Sequence, residues 1–260
     1  MIHACCLTIA GSDSGGNAGI QADLRTFHAH GLHGCSVITA VTAQNPFGVS
    51  AIQTLPSAII RAQLEAVLGT YHIAALKTGM LASAEIIEEV AAVLQQVPHI
   101  YKVIDPVMVA TSGARLLESN AIDTFTRNLI SLATCLTPNL PEAEVLLGQP
   151  IPTLESAIAA AQTLNDRHGI AILLKGGHRS SSQMTDVFCD TDGSIHLFQT
   201  PRIDHYRSVH GTGCTLAAAI TAGLTQGKTL LAAIQQAKDY VTHAIQTSYD
   251  VGENCGVLGF

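Results

Sequence analysis

Short apolar runs that stop at Gly, Asp or Pro alternate along this chain with longer stretches whose apolar residues recur at helical spacing. Strands joined by crossover helices give that alternation, so it predicts an α/β fold on a mostly parallel sheet. Strands are expected over 5–10, 35–42, 74–78, 101–105, 134–138 and 170–175. Helices are expected over 18–30, 57–70, 84–96, 120–130, 154–168, 215–225 and 230–248. Two further runs, 185–190 and 195–199, flank Asp192-Gly193, a dipeptide suited to the positive φ angles of a hairpin turn, and place a hairpin at one sheet edge. No Pro/Gly/Ser-rich stretch offers a linker, so one domain is expected over 1–260.

Composition narrows the function classes. Hydrophobic residues make up 47 % and charged residues 13 %, enough for a core buried on several faces. A net charge of −7 without clustered Lys/Arg argues against a nucleic-acid groove, which needs cations to replace phosphate counterions. No apolar run approaches the roughly 18 to 20 residues of a membrane span, and the run over 4–10 is too short and lacks the preceding basic residue of a signal peptide. Cysteines at 5, 6, 35, 135, 189, 214 and 255 form no CxxC pair, so reduced thiols in a cytoplasmic protein are expected.

In open sheets of this class ligands sit beyond the carboxyl ends of the strands. Polar or glycine-rich clusters fall there: Gly11-Ser12-Asp13, Gln44-Asn45, Asp105-Pro106, Pro138-Asn139 and Lys175-Gly176-Gly177-His178. The sharpest signal is His210-Gly211-Thr212-Gly213-Cys214-Thr215, which runs into a small-residue helix. Exposed N–H groups of a first helical turn, with the helix dipole, bind an anion such as a transferring phosphoryl group. The same dipole would favour a thiolate at Cys214, which could then act as a base. Asp105 and Glu142 could direct oxygen ligands at a magnesium ion bridging phosphates. A plain helix entry and ordinary capping acids are the bland alternatives for these segments.

Several decoys fall away. The segment Gly11 to Asp23 lacks GxGxxG spacing, which disfavours a nicotinamide cofactor. Gly223-Leu224-Thr225-Gln226-Gly227-Lys228-Thr229 imitates a P-loop but is one residue short and follows a helix; Gly227 reads as a helix C-cap and Thr229 as the next N-cap. His28, His30 and His33 straddle a helix end at Gly31 and read as a solvated terminus instead of a metal set.

Taken together, Ile9-Ala10-Gly11-Ser12-Asp13-Ser14-Gly15-Gly16, Ala22-Asp23-Leu24, Thr39 to Asn45, Lys77-Thr78-Gly79-Met80, Asp105-Pro106-Val107-Met108, Thr137-Pro138-Asn139, Lys175-Gly176-Gly177-His178 and Gly211 to Thr215 resemble the hydroxymethylpyrimidine/phosphomethylpyrimidine kinases of the ribokinase-like superfamily. The resemblance implies a three-layer α/β/α sandwich, magnesium-dependent use of ATP as phosphoryl donor, and a homodimer. By position it implies Gln44 as reader of the aminopyrimidine, apt because an amide can donate to a ring nitrogen while accepting from an exocyclic amine. Asp23 should lie near the hydroxymethyl arm, with Gly11, Met80 and Val107 around the ring. Cys214 should take the proton, with Gly211, Thr212 and Gly213 holding the developing charge. Asn139, Lys175 and Lys238 are implied on the phosphates and Asp105 and Glu142 on magnesium. The chain departs from the family pattern at Asn17, at Arg207-Ser208-Val209 and in the tail over 256–260. A pyridoxine or pyridoxal kinase, acting on another flat ring with a hydroxymethyl group, and a non-catalytic pyrimidine-binding sensor stay open as alternatives.

Overall fold

The computed structural model describes residues 3–109, 116–118, 120–176, 183–203, 207, 210–253 and 255–260. Gly177, His178, Ser208 and Val209, singled out above, lie outside the described residues. The chain runs β1 (Cys5–Asp13), α1 (Gly19–Ala29), β2 (His33–Asn45), β3 (Gly48–Thr54), α2 (Ser57–Leu68), β4 (Ile73–Thr78), α3 (Ala84–Leu94), β5 (Tyr101–Ile104) and α4 (Ala121–Asn128). It continues through β6 (Cys135–Leu136), α5 (Leu140–Leu147), α6 (Leu154–His168), β7 (Ala171–Leu174), β8 (Gln183–Cys189), β9 (Ile195–Pro201), α7 (Thr212–Thr225), α8 (Leu230–Gln246), β10 (Tyr249–Gly252) and β11 (Cys255–Val257).

One nine-stranded sheet has the order β3-β2-β1-β4-β5-β6-β7-β8-β9. Its six middle strands are parallel, with antiparallel β3 at one edge and the β8–β9 hairpin at the other. Alternate strand residues point to opposite faces. Leu7, Ile9, Leu76, Ile104, Leu136 and Ile172 join a core with α2 through α6. Ala75, Val103, Cys135, Ala171 and Leu173 join the other with α7 and α8, while Cys6 meets Phe27 of α1. Helices on both faces are why these strands read as continuous apolar runs. The expected three-layer α/β/α sandwich is therefore the fold, and all expected strands and helices are present.

The differences are local. Strand β3 was not expected: it is a polar, largely exposed edge whose pattern carries no buried stripe. Helix α5 is only eight residues and contains Pro141, which suits a first turn, so the segment reads as a loop in sequence. Helix α7 starts at Thr212, three residues before the expected start, because Gly211 at φ +85° turns the chain straight into it. The P-loop imitation is a helix boundary as expected, with Gly227 at φ +78° just beyond α7 and the Thr229 hydroxyl accepting from the Ala232 N–H.

Candidate active site

The carboxyl ends of β1, β2, β4 and β5 and the N-termini of α1, α5 and α7 surround a cleft of ≈ 160 Å³. That is room for about one six-membered ring, so a nucleotide would have to extend outward from it. Its floor is the end of β1. Asp13 Oδ1 accepts from the Gly15 N–H at 2.8 Å, and Oδ2 accepts from the N–H groups of Asn17 and Ala18 at 3.0 and 2.9 Å. Burial alone would push this carboxyl up, but His210 and the three N–H donors hold it below its usual value. The carboxylate thereby shapes the 14–18 loop as it enters α1.

That loop is pressed against the start of α7. A Cβ on Gly211 would sit on the Asn17 carbonyl, and one on Gly19 (φ +58°) would sit on the Gly11 carbonyl. Only glycine fits these two left-handed positions without displacing backbone. No side chain caps α7, so the N–H groups of its first turn face the cleft without a protein acceptor of that kind. Gly211, Thr212, Gly213 and Cys214, expected to gather around a phosphoryl group, all line this wall.

Cys214 departs from expectation in its chemistry. Burial raises its thiol to about 11, outweighing the lowering by Lys77 and by the Gly19 N–H, whereas the helix dipole had suggested a thiolate. Desolvation of a charge exceeds what the end of one helix supplies.

Two ion pairs lie beneath this turn. Lys77, at the end of β4, bonds both oxygens of Asp23 at 2.9 and 3.0 Å, and the Thr8 hydroxyl donates to Asp23 at 2.6 Å. Both charged side chains are fully buried. Burial works against the Lys77 charge, yet Asp23, Cys214 and Asp105 hold its ammonium well above the usual value. Asp23 is therefore behind the cleft wall and positions Lys77, which itself lines the cleft; Asp23, expected near a hydroxymethyl arm, is not among the residues that line it. In the second pair Lys175 Nζ donates to Asp105 Oδ1 at 2.8 Å, and Thr137 donates to the same oxygen at 3.0 Å. Gly213 is next to both: a Cβ there would be 3.6 Å from Lys175 Nζ and 3.9 Å from Asp105 Oδ2.

Asn139 and Glu142 form a reciprocal capping box at the start of α5, with bonds of 2.8 and 2.9 Å. Burial, with Asp105 adding to it, raises Glu142 to about 7 against the pull of Lys175. Among the described residues no three His, Cys, Asp or Glu gather into a metal cage. A pair of carboxylates next to an uncapped helix N-terminus nevertheless fits magnesium, which keeps several waters and takes one or two carboxylates plus phosphate oxygens.

Gln44, Met80 and Val107, expected around a ring, also line the cleft, with Gly11 facing the Met80 sulfur. Gln44 Nε2 lies 3.1 Å from His210 Nε2, and the Thr42 hydroxyl 3.2 Å from Gln44 Oε1. Lys238, expected on a phosphate, does not line this cleft; it pairs with Asp186 at 2.7 Å, and Asp186 accepts from the Gly176 N–H. It braces the strand-end loop from behind. Lys77, Asp13, Thr42 and His210 had been given no role in the sequence. The signal for Lys77 was there, since a lysine ending an apolar inner strand needs a buried partner.

Comparison with known proteins agrees with this geometry. A family model described as phosphomethylpyrimidine kinase matches residues 13–259. A hydroxymethylpyrimidine/phosphomethylpyrimidine kinase of Haemophilus influenzae is 46 % identical over 253 residues, covering 96 % of this chain and 94 % of its own. Among solved structures, a phosphomethylpyrimidine kinase from Clostridium difficile superposes with a TM-score of 0.82 at 39 % identity, over 93 % of this chain and 99 % of its own. A pyridoxal kinase from Staphylococcus aureus in complex with ADP gives 0.90 at 32 % identity, over 100 % and 94 %. A fold with the expected layers, an uncapped helix N-terminus and a ring-sized cleft thus coincide with a match over nearly the whole length, and the chain belongs to the phosphomethylpyrimidine kinase family.

Proposed function

We propose that this chain transfers the γ-phosphoryl group of ATP to the hydroxymethyl oxygen of 4-amino-5-hydroxymethyl-2-methylpyrimidine, and then to the phosphate of the monophosphate so formed, in thiamine biosynthesis. The observation that carries this is a single cleft in which the uncapped start of α7, the Asp105–Lys175 pair and the amide of Gln44 face one another. Family membership and relatives of the same description support it.

In this reading Gln44 pairs with the aminopyrimidine edge between Met80 and Val107. The N–H groups of Gly211 to Cys214 hold the phosphoryl oxygens, where preorganised donors are each worth on the order of 100 to 1,000-fold in turnover. Lys175 and Asn139 line the path of the phosphates. Asp105 and Glu142 would hold magnesium, which neutralises phosphate charge when bound. The alcohol oxygen attacks phosphorus, the bond to the ADP oxygen breaks, and the proton passes to the Cys214 sulfur. Because burial keeps that sulfur protonated in the free protein, the Lys77 ammonium is the group that favours its thiolate. The transition state of phosphoryl transfer is loose, so the alcohol proton leaves late and the turn outweighs the base. The same reading takes the protein as one domain over 1–260 and as a cytoplasmic homodimer; the continuous nine-stranded sheet supports the first of these.

The likeness to pyridoxal kinases favours a second reading, phosphorylation of pyridoxal. Magnesium-dependent ADP release measured with the pyrimidine, its monophosphate, pyridoxine and ribose separates the two. Turnover on the first two supports the proposal, activity on pyridoxine alone replaces it with the second reading, and binding of the pyrimidine without ADP release would leave a sensor.

A further inference from the structure

Gln44 is held at both ends of its amide, and the two anchors differ in what they can decide. Thr42 Oγ1, 3.2 Å from Gln44 Oε1, also lies 3.0 Å from the Ser12 carbonyl. A hydroxyl donates one proton and accepts at two lone pairs, so Thr42 fits the amide either way round. In any one tautomer His210 lacks that tolerance. With its Nε2 3.1 Å from the Gln44 amide, it accepts from the –NH₂ when Nε2 is bare and donates to the carbonyl when Nε2 carries hydrogen.

The imidazole has a second neighbour. Its Nε2 faces Asp13 Oδ2 at 3.9 Å, and that carboxylate is locked by the three loop N–H groups. The chain Asp13–His210–Gln44 therefore crosses from β1 through the residue preceding the α7 turn to the end of β2. Turning the amide end for end exchanges donor and acceptor along the edge it shows a ring, and a site paired with the wrong pattern leaves buried polar groups unmatched.

We propose that His210 is a positioning residue for substrate choice: through its contact with the Gln44 amide, and by the tautomer it holds, it sets which end of that amide meets the ring and so favours the aminopyrimidine edge over other heteroaromatic alcohols such as pyridoxine. This rests on the reading of Gln44 as the group that faces the ring. It also assigns a purpose to the histidine beside the glycine turn that is separate from holding phosphate.

The test is a double-mutant cycle, with KM and kcat measured on hydroxymethylpyrimidine and on pyridoxine for the parent, Gln44→Ala, His210→Ala, His210→Gln and Gln44→Ala/His210→Ala. Loss of one hydrogen-bond anchor should raise KM for the pyrimidine about 10-fold, more than it lowers kcat, and reduce the pyrimidine preference as Gln44→Ala does. His210→Gln, whose amide can reach the place of Nε2 but can present either end, should restore only part of the preference. The double variant should be no worse than Gln44→Ala. Additive losses in the double variant, or a fall in kcat with KM unchanged, would overturn the role of His210 while leaving Gln44 as the reader. An unchanged preference in Gln44→Ala would instead overturn the reading of Gln44, and the inference with it.

Discussion

Replacing Lys77 by Met tests the most demanding electrostatic arrangement in the protein. The two are similar in length, so the substitution removes the ammonium with little change of volume. It leaves the Asp23 carboxylate fully buried with only the Thr8 hydroxyl as side-chain donor. Breaking a buried pair by removing one partner costs about 3–5 kcal/mol, because the other charge stays in a medium that cannot solvate it. At roughly 2 °C per kcal/mol for a chain of this size, the melting temperature should drop by about 6–10 °C. Urea unfolding followed by circular dichroism gives the free energy directly, from the shift in midpoint at constant slope. Adding Asp23→Asn removes the orphaned charge while keeping the bond from Thr8, and the double variant should recover about half of the loss or more. A cost below about 1 kcal/mol for Lys77→Met, or a double variant that loses the sum of both single effects, would refute the buried pair as drawn.

Other consequences concern the wall of the cleft. Gly211→Ala forces a left-handed residue and a contact with the Asn17 carbonyl; it should cost about 1–2 kcal/mol from the backbone alone and, by shifting the N–H groups, on the order of 100-fold or more in turnover, read from unfolding and steady-state kinetics. Cys214→Ser should keep the fold and lose no more than about 100-fold in turnover, the lower end for a general base; unchanged turnover would remove the thiol from the mechanism. In the free protein, iodoacetamide should alkylate Cys214 slowly at neutral pH, with a rate rising toward about 11. Glu142 is raised from 4.5 to about 7, so the folded state binds more protons than the unfolded one in between; its contribution to stability is full below 4.5 and is lost as pH rises through about 7. Glu142→Gln in metal-free protein should flatten that part of the stability curve, as measured by thermal unfolding at stepped pH.

Much of the molecule was legible in the order of its residues because local chemistry and the final fold agree there. The middle strands alternate between two buried faces, so Leu7, Ile9, Leu76 and Ile104 announce themselves whatever their partners. The glycine turn before α7 announces a sharp helix start because the need for Gly211 at positive φ is local, and Asp192-Gly193 marks its hairpin for the same reason. Strand β3 and helix α5 stayed hidden where pairing with β2 and a capping box, not hydrophobic period, hold the backbone.

What tertiary structure alone decided is where charges end up. Nothing in sequence spacing says that Asp23 is paired behind the wall with Lys77, 54 positions away, that Lys238 braces Gly176 through Asp186 instead of lining the cleft, or that His210 meets Gln44. Nor does the sequence show that Cys214 is desolvated enough to reverse the effect of its helix. Periodicity is a property of neighbours along the chain, whereas burial and ion pairing depend on distances between elements that only the folded sheet brings together.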